Sequence, residues 1–277
     1  AARAAGFDEV QFQLEPIAAA FDFERRVTTD TTVLVVDIGG GTSDFTVVRV
    51  GPGGQALGDR SGDILATTGV HIGGTDFDQL LNLRHAMPLL GLGHVGPSGR
   101  EVPSSVFFDL STWHLIHQSY SRKSLAHAAD LRDAYADRAL HQRLLHVLQE
   151  RVGHHILANV ESAKIACSLS GAAATIDLDC IARDLSAQLT PAGLAQALQA
   201  QLGRVVQCAQ ECVDLAGVAQ PDAVYLTGGS SALAPLQTAM QALFPQVRMV
   251  AGDRFGSVAA GLAYAGSVAM ESATAYK

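Results

Sequence analysis

The sequence has 277 residues, 48% hydrophobic and 17% charged, with 27 acidic against 19 Lys and Arg side chains and a formal net charge of −8. That length and apolar content suffice to bury a substantial core, as one large domain or two subdomains, and exclude disordered and fibrous classes. The acidic balance, with no cluster of Lys and Arg, argues against a nucleic-acid partner.

From the start, Ala1 to Gly6 reads as the last turn of a helix closed by glycine, and the alternation of Asp8–Leu14 predicts a strand. Without an initiator Met or a basic-then-apolar leader, the chain is expected to begin in mid-domain. Glu15-Pro-Ile-Ala-Ala-Ala20 then opens a helix, with Pro16 suited to the first turn. Its small face would let another helix approach closely and slide.

Val33 to Val50 holds two β-rich stretches joined by Gly39-Gly40-Gly41-Thr42, with Asp37 and Asp44 at the edges of the turn. Glycines bring backbone N–H groups within reach of an anion where a Cβ would intrude, and Thr42 adds a hydroxyl donor. Carboxylates beside phosphates repel them unless a cation such as Mg²⁺ lies between, usually through water. The pattern implies a nucleotide and a metal. Because the chain leaves the turn as a strand, it is neither a Walker A loop nor a dinucleotide fingerprint, both of which open a helix. Gly51–Gly54 should turn the chain into further short strands ending near Thr68, giving an antiparallel meander.

Gly73-Gly74 precedes a helix start carrying Asp76 and Asp78, so its amides are a second candidate contact for phosphate or ribose oxygens, with a purely structural cap as the alternative. Residues 73–189 read as an inserted helical subdomain in a core of 1–72 and 190–277. Pro88–Pro103 is a loop rich in glycine and proline. Leu140, Leu144, Leu145, Leu148 and Val152 form one helical stripe, and Ile156, Val160, Ala163 and Cys167 another. Glu161, Lys164 and Ser168 share a face of that second helix, a geometry suited to a ribose and a purine edge or to an intrahelical ion pair. His114, His117, His154 and His155 lack the company of a zinc motif and read as surface residues.

Thr190-Pro191 caps and opens a long helix toward Gly217. Asp222–Thr227 is a short strand running into Gly228-Gly229-Ser230-Ser231, with Pro235 opening the next helix; this arrangement places ligands at the carboxyl edge of an α/β sheet. Gly256 to Ala263 is a second small-faced helix. Cys167, Cys180, Cys208 and Cys212 lack C-x-x-C spacing, and Cys208 and Cys212 read as core thiols, fitting a cytoplasmic protein. Val258–Met270, the longest small-apolar run, falls short of the roughly 20 residues that span a bilayer, so no membrane partner is expected.

The hairpin Asp37-Ile-Gly-Gly-Gly-Thr-Ser-Asp44, the Glu15–Ala20 helix, His71-Ile-Gly-Gly-Thr-Asp-Phe-Asp78, the Glu161/Lys164/Ser168 face, Gly228–Ser231 and Gly256–Ala263 together resemble the actin/hexokinase/heat-shock ATPase superfamily, in its DnaK-type chaperone branch. These segments occur in the family's order and span residues 8 to 265. The insert with Met87-Pro88-Leu-Leu and Trp113-His114 looks most like the YegD-like subgroup.

The resemblance implies an α/β, ribonuclease-H-like lobe: a mixed sheet flanked by helices, with an inserted helical α+β subdomain. It further implies ATP or ADP with Mg²⁺, and a monovalent cation such as K⁺, in a chaperone ATPase. Asp37, Asp44 and Glu15 would be catalytic, with Asp37 and Asp44 at the metal. Gly39, Gly40, Gly41, Thr42, Gly73, Gly74, Glu161, Lys164, Ser168, Gly228, Gly229 and Ser230 would hold the nucleotide. The implied partners are an N-terminal lobe of the same protein preceding Ala1, client proteins and a nucleotide-exchange partner.

Two departures stand out. The positions matching the family's two adenine-stacking arginines are Ile165 and Ala232, and each lost stacking contact forgoes on the order of 0.5 to 2 kcal/mol. The family's other phosphate hairpin has no counterpart in this sequence, and three or four missing charge-assisted bonds would weaken ATP binding by about three to four decades. A small-molecule kinase of the same superfamily and a non-catalytic actin-like interaction module are the alternative readings.

Overall fold

The computed structural model describes residues 1–8, 10, 12–52, 61–253, 256–264 and 266. Its packing divides the chain into two compact units: 1–71, 204–231 and 239–277 form one, and 72–203 with 232–238 the other. The division at the far end falls inside a long helix, after residue 203, and not at residue 190.

The first unit is built on a five-stranded mixed sheet. Strand β1 (Thr31–Ile38) pairs antiparallel with β2 (Ser43–Val50), and β2 likewise with β3 (Ile64–Val70). On its other side β1 runs parallel to a strand over Ala223–Thr227, which in turn runs parallel to one over Arg248–Ala251 at the sheet edge. A central strand with parallel pairing must be covered on both faces. Hence Val33, Leu34, Val35 and Val36 form an unbroken apolar run in which no residue exceeds 1% exposure.

Period-two alternation sorts the neighbours. On one face, Val33, Val35, Val48, Val50, Ala223, Tyr225 and Val250 pack with Ala19, Ala20 and Phe23 of helix α1 (Glu15–Glu24) and with Val258 of the helical residues 257–264. The buried Tyr225 hydroxyl donates to Asp22 of α1 at 2.7 Å. On the opposite face, Thr68 donates to the Cys208 carbonyl at 3.0 Å, and the Cys212 thiol lies 3.4 Å from the Phe45 carbonyl. Helices thus flank a mixed sheet, as expected.

In the second unit, Gly73 caps helix α2 (Gly74–His85), which is followed by α3 (Ser105–Ser111), α4 (Arg122–Asp130), α5 (Arg138–Glu150) and α6 (Gly153–Ser170). A two-stranded ribbon, β4 (Ala174–Asp177) with β5 (Ser186–Leu189), supplies its β component. Helix α7 (Pro191–Leu215) begins where Thr190 accepts the Gly193 amide proton at 3.0 Å, and the strand Ala223–Thr227 (β6), helix α8 (Ala234–Leu243) and the strand Arg248–Ala251 (β7) complete the order.

Two local expectations change, and part of a third lies outside the described residues. Among the described residues of Asp8–Leu14 none is in a strand; Phe12 is 96% exposed, and extended chain without a neighbour to bond has no ladder to join. Part of the meander, residues 53–60, lies outside the described residues. The inward face of α5 is His141, Leu144, Val147 and Leu148, with Leu140 and Leu145 only half-buried, and a left-handed Arg151 ends the helix before Val152. The stripe Ile156, Val160, Ala163 and Cys167 is buried as predicted.

Where α1 meets residues 257–264, a Cβ on Gly261 would run into the Ala18 carbonyl. Backbone cannot give way as a side chain can. Gly261→Ala should therefore lower stability by about 1–3 kcal/mol, measured as a drop in the urea midpoint, whereas Ala260→Gly should cost only the helix-propensity difference of about 1 kcal/mol.

Candidate functional site

The β1–β2 register places Asp37 opposite Asp44, with Ile38 and Ser43 closing the ladder before the turn. The same strand positions continue sideways, Asp44 opposite Gly69 on β3 and Asp37 opposite Thr227 on β6. Gly69, Asp44, Asp37 and Thr227 thus form one row across the sheet, on the face that carries α1. Thr227 shares a hydrogen bond of 2.6 Å with Ser257, whose hydroxyl donates to the Asp253 carbonyl.

Glu15, at the first turn of α1, is exposed, as is Asp44, while Asp37 is half-buried. Burial pushes the Asp37 carboxyl up to about 6, and the negative charges of Glu15 and then Asp44 push it the same way. Three acids therefore repel one another at one sheet edge. Among the described residues no three His, Cys, Asp or Glu side chains converge tightly enough to ligate one ion directly. A cation held by this oxygen-only set would be reached largely through its water shell, the habit of Mg²⁺.

The turn itself is closed by the Gly39 amide donating to the Thr42 carbonyl at 3.0 Å. Gly40 and Gly41 are exposed. Among the described residues, no acceptor is paired with the Gly41 or Thr42 amide. The loop after β6 is fitted to this turn: Ser230 donates to the Gly39 carbonyl at 3.2 Å, and Gly228, with φ of 82°, lies where a Cβ would strike Asp37 and the Ile38 carbonyl. Gly228 is thus required twice over, by conformation and by contact. Gly229 is exposed beside it.

The first unit brings together Glu15, Asp37, Asp44, Gly39–Thr42 and Gly228–Ser230. Gly73, Gly74, Glu161, Lys164 and Ser168 belong to the second unit. There the Gly73 amide donates to Asp76 at 2.8 Å, the structural cap weighed from sequence. Lys164 pairs at 2.8 Å with Asp78 of α2, both side chains 7% exposed, rather than with Glu161, which is exposed. Burial drives the Asp78 carboxyl up to about 6 against the pull of the Lys164 ammonium, with Glu161 adding to the rise. Ser168 accepts the Ala234 amide proton at 2.8 Å, and Ile165 is 47% exposed.

Sequence reasoning missed two contributors. Gly69 carries a signal, since glycine inside a run of β-branched residues weakens a strand and marks a close approach. The Asp78–Lys164 pair has none, because it joins residues 86 positions apart.

Residues 1–87 match the family model described as Hsp70 protein. The chaperone protein DnaK of Thermus thermophilus is 29% identical over 253 residues, covering 88% of this chain and 32% of that protein. Over most of its length the chain is similar to the DnaK-type Hsp70 proteins. Two further similarities cover a shorter stretch: 42% over 81 residues with the chloroplastic heat shock 70 kDa protein 7 of Arabidopsis thaliana (28% of this chain, 10% of that protein), and 37% over 79 residues with the chaperone protein dnaK of Gracilaria tenuistipitata (28% and 12%). The chain spans about a third of the length of the Thermus relative, and its sheet with flanking helices is the α/β fold of the actin-like ATPases. No helix among the described residues is long and apolar enough to cross a membrane.

Two outcomes follow from the buried acids. Free Asp37 in an unfolded chain loses its proton near pH 4, about two units below its folded value; the fold therefore binds the extra proton between them, and stability falls by about 3 kcal/mol as pH rises from 4 through 6. Asp37→Asn should raise the urea midpoint at pH 7.5 and flatten its decline between pH 4 and 6. Asp78→Ala strands a buried ammonium and should cost about 3–5 kcal/mol, against under about 0.5 kcal/mol for Glu161→Ala.

Proposed function

We propose that this chain is the part of a DnaK-like chaperone ATPase that holds Mg²⁺ and the phosphates of ATP or ADP, in a protein that couples hydrolysis to movement between lobes. The observation that carries this reading is the meeting of three mutually repelling acids with a glycine turn whose Gly41 and Thr42 amides are paired with no acceptor among the described residues. Among the described residues, clustered negative charge beside donors without acceptors fits a cation bound to an oxyanion.

In this reading Asp37 and Asp44 orient the water shell of Mg²⁺, which supplies charge neutralisation at the phosphates. Glu15, with Asp44, holds a monovalent cation such as K⁺ or the attacking water. The amides of Gly40, Gly41 and Thr42 receive phosphate oxygens, and Gly39, whose amide closes the turn, sets the turn's shape. Gly229 and Ser230 contribute from the loop after β6. In the second unit, residues 73–189 form a nucleoside-contacting subdomain, with Glu161 toward the ribose. Lys164 and Ser168, both engaged within the unit, fix the helix that presents Glu161. Gly73 and Gly74 open α2 as a further contact.

The insert with Met87–Leu90 and Trp113–His114 supports a YegD-like placement within the family. An N-terminal lobe of the same protein, client proteins and an exchange factor are the partners in this reading, which is set in the cytoplasm. The exposed Ile165, where the family carries an arginine, favours a second reading: a non-catalytic actin-like module with weakened base recognition.

Calorimetric titration of the chain with Mg-ADP should show binding that Asp37→Asn weakens by about tenfold, the cost of one charge-assisted contact. Phosphate release from ATP by the intact protein should fall with the same substitution. Equal affinity in the wild type and in Asp37→Asn would exclude the proposed role of this acid.

A further inference from the structure

At the end of the row of facing residues, Gly69 sits opposite Asp44, and a Cβ built there would lie 2.8 Å from the Asp44 carboxylate oxygen Oδ1. The Asp44 side chain therefore leans over β3, into the space that the missing side chain leaves. The next neighbour of that imagined Cβ, the Ser43 carbonyl, is at an ordinary 3.6 Å. Gly69 has no left-handed backbone conformation to satisfy, being absent from the residues of positive φ. Neither turn geometry nor backbone crowding explains a glycine at this point of a strand that otherwise reads Ile-Leu-Ala-Thr-Thr and Val. Only the carboxylate does.

We propose that Gly69 is a positioning residue that seats the Asp44 carboxylate for the cation. The proposal rests on the reading of Asp37 and Asp44 as the acids around a hydrated metal ion. Leaning over β3 carries the Asp44 charge away from Asp37, the residue it faces, and leaves room between the two for water and an ion. A methyl group at 69 ejects Oδ1 from this seat while the backbone stays as it is. Gly228 differs in kind, because its missing Cβ also spares the Ile38 carbonyl and its φ of 82° penalises any side chain. Substitution there harms the fold, whereas substitution at Gly69 separates fold from site.

The test uses the full chain and Mn²⁺ as probe, titrated in the presence of ADP and followed by electron paramagnetic resonance, with melting temperature measured in parallel. Gly69→Ala should melt at or slightly above the wild-type temperature, since alanine suits a strand better than glycine. It should bind Mn²⁺ about fivefold more weakly, the effect of disturbing one hydrogen-bonded contact. The double variant Gly69→Ala with Asp44→Asn should bind no more weakly than Asp44→Asn alone, because a residue acting through Asp44 has nothing left to act on; a merely structural effect would add. Wild-type affinity in Gly69→Ala, or full additivity in the double variant, overturns the proposal while Asp44→Asn still confirms the site. Mn²⁺ binding indifferent to Asp37→Asn and Asp44→Asn overturns the reading of the site, and this proposal with it.

Discussion

The structure turns on a repulsion held in place by hydrogen bonds. Strand register fixes Asp37 opposite Asp44 on the same face of the sheet, and the first turn of α1 brings Glu15 close enough to be felt. Side chains at facing positions of an antiparallel pair cannot drift apart without breaking the ladder, and the ladder here continues through two more strands. The cost of crowding like charges is met by the apolar burial beneath them, where Val33 to Val36 are covered on both faces. In the proposed reading such a site would be prepared in advance for a positive ion, since the work of assembling the acids is done during folding.

Glycine performs three different tasks around that site. At Gly228 it supplies a backbone conformation and a close approach together; at Gly261 it lets one helix backbone rest on another; at Gly40 and Gly41 it leaves the tip of the turn bare. These are distinct constraints, and only the first combines conformation with contact. The helix contact at Ala18 and Gly261 also explains the run Ala18–Ala20, each 0% exposed: small residues on both sides bring the axes close without interlocking side chains.

Much of this was legible in the sequence because it is local. Two strands, a glycine turn and its flanking acids lie within twenty consecutive residues, and their alternation states both the pairing and the face. The stripe of α6, the first-turn proline of α1 and the Thr190 cap of α7 are likewise short-range signals of period 3.6 or of a single turn. What escaped depends on distance along the chain. The partner of Lys164 is Asp78, brought to it by the packing of α2 on α6, and no spacing rule reaches that far. The strand expected at Asp8–Leu14 failed for the complementary reason: alternation gives a segment two faces but does not supply a neighbour to pair with. On α5 the face was displaced by one residue class, since a histidine, His141, occupies an inward position that hydrophobicity assigned to leucines.

The half-buried position of Asp37 has a consequence for how the site fills. An acid that keeps its proton to about pH 6 would, in the proposed reading, have to give that proton up to a divalent ion bound beside it. Loading would then be an exchange of one cation for another: near pH 6 it would release about half a proton per ion and compete with acidity, while at pH 8, with the carboxyl already ionised, the same ion would bind without that toll. The occupancy of such a centre would follow the acidity of its compartment as well as the supply of metal.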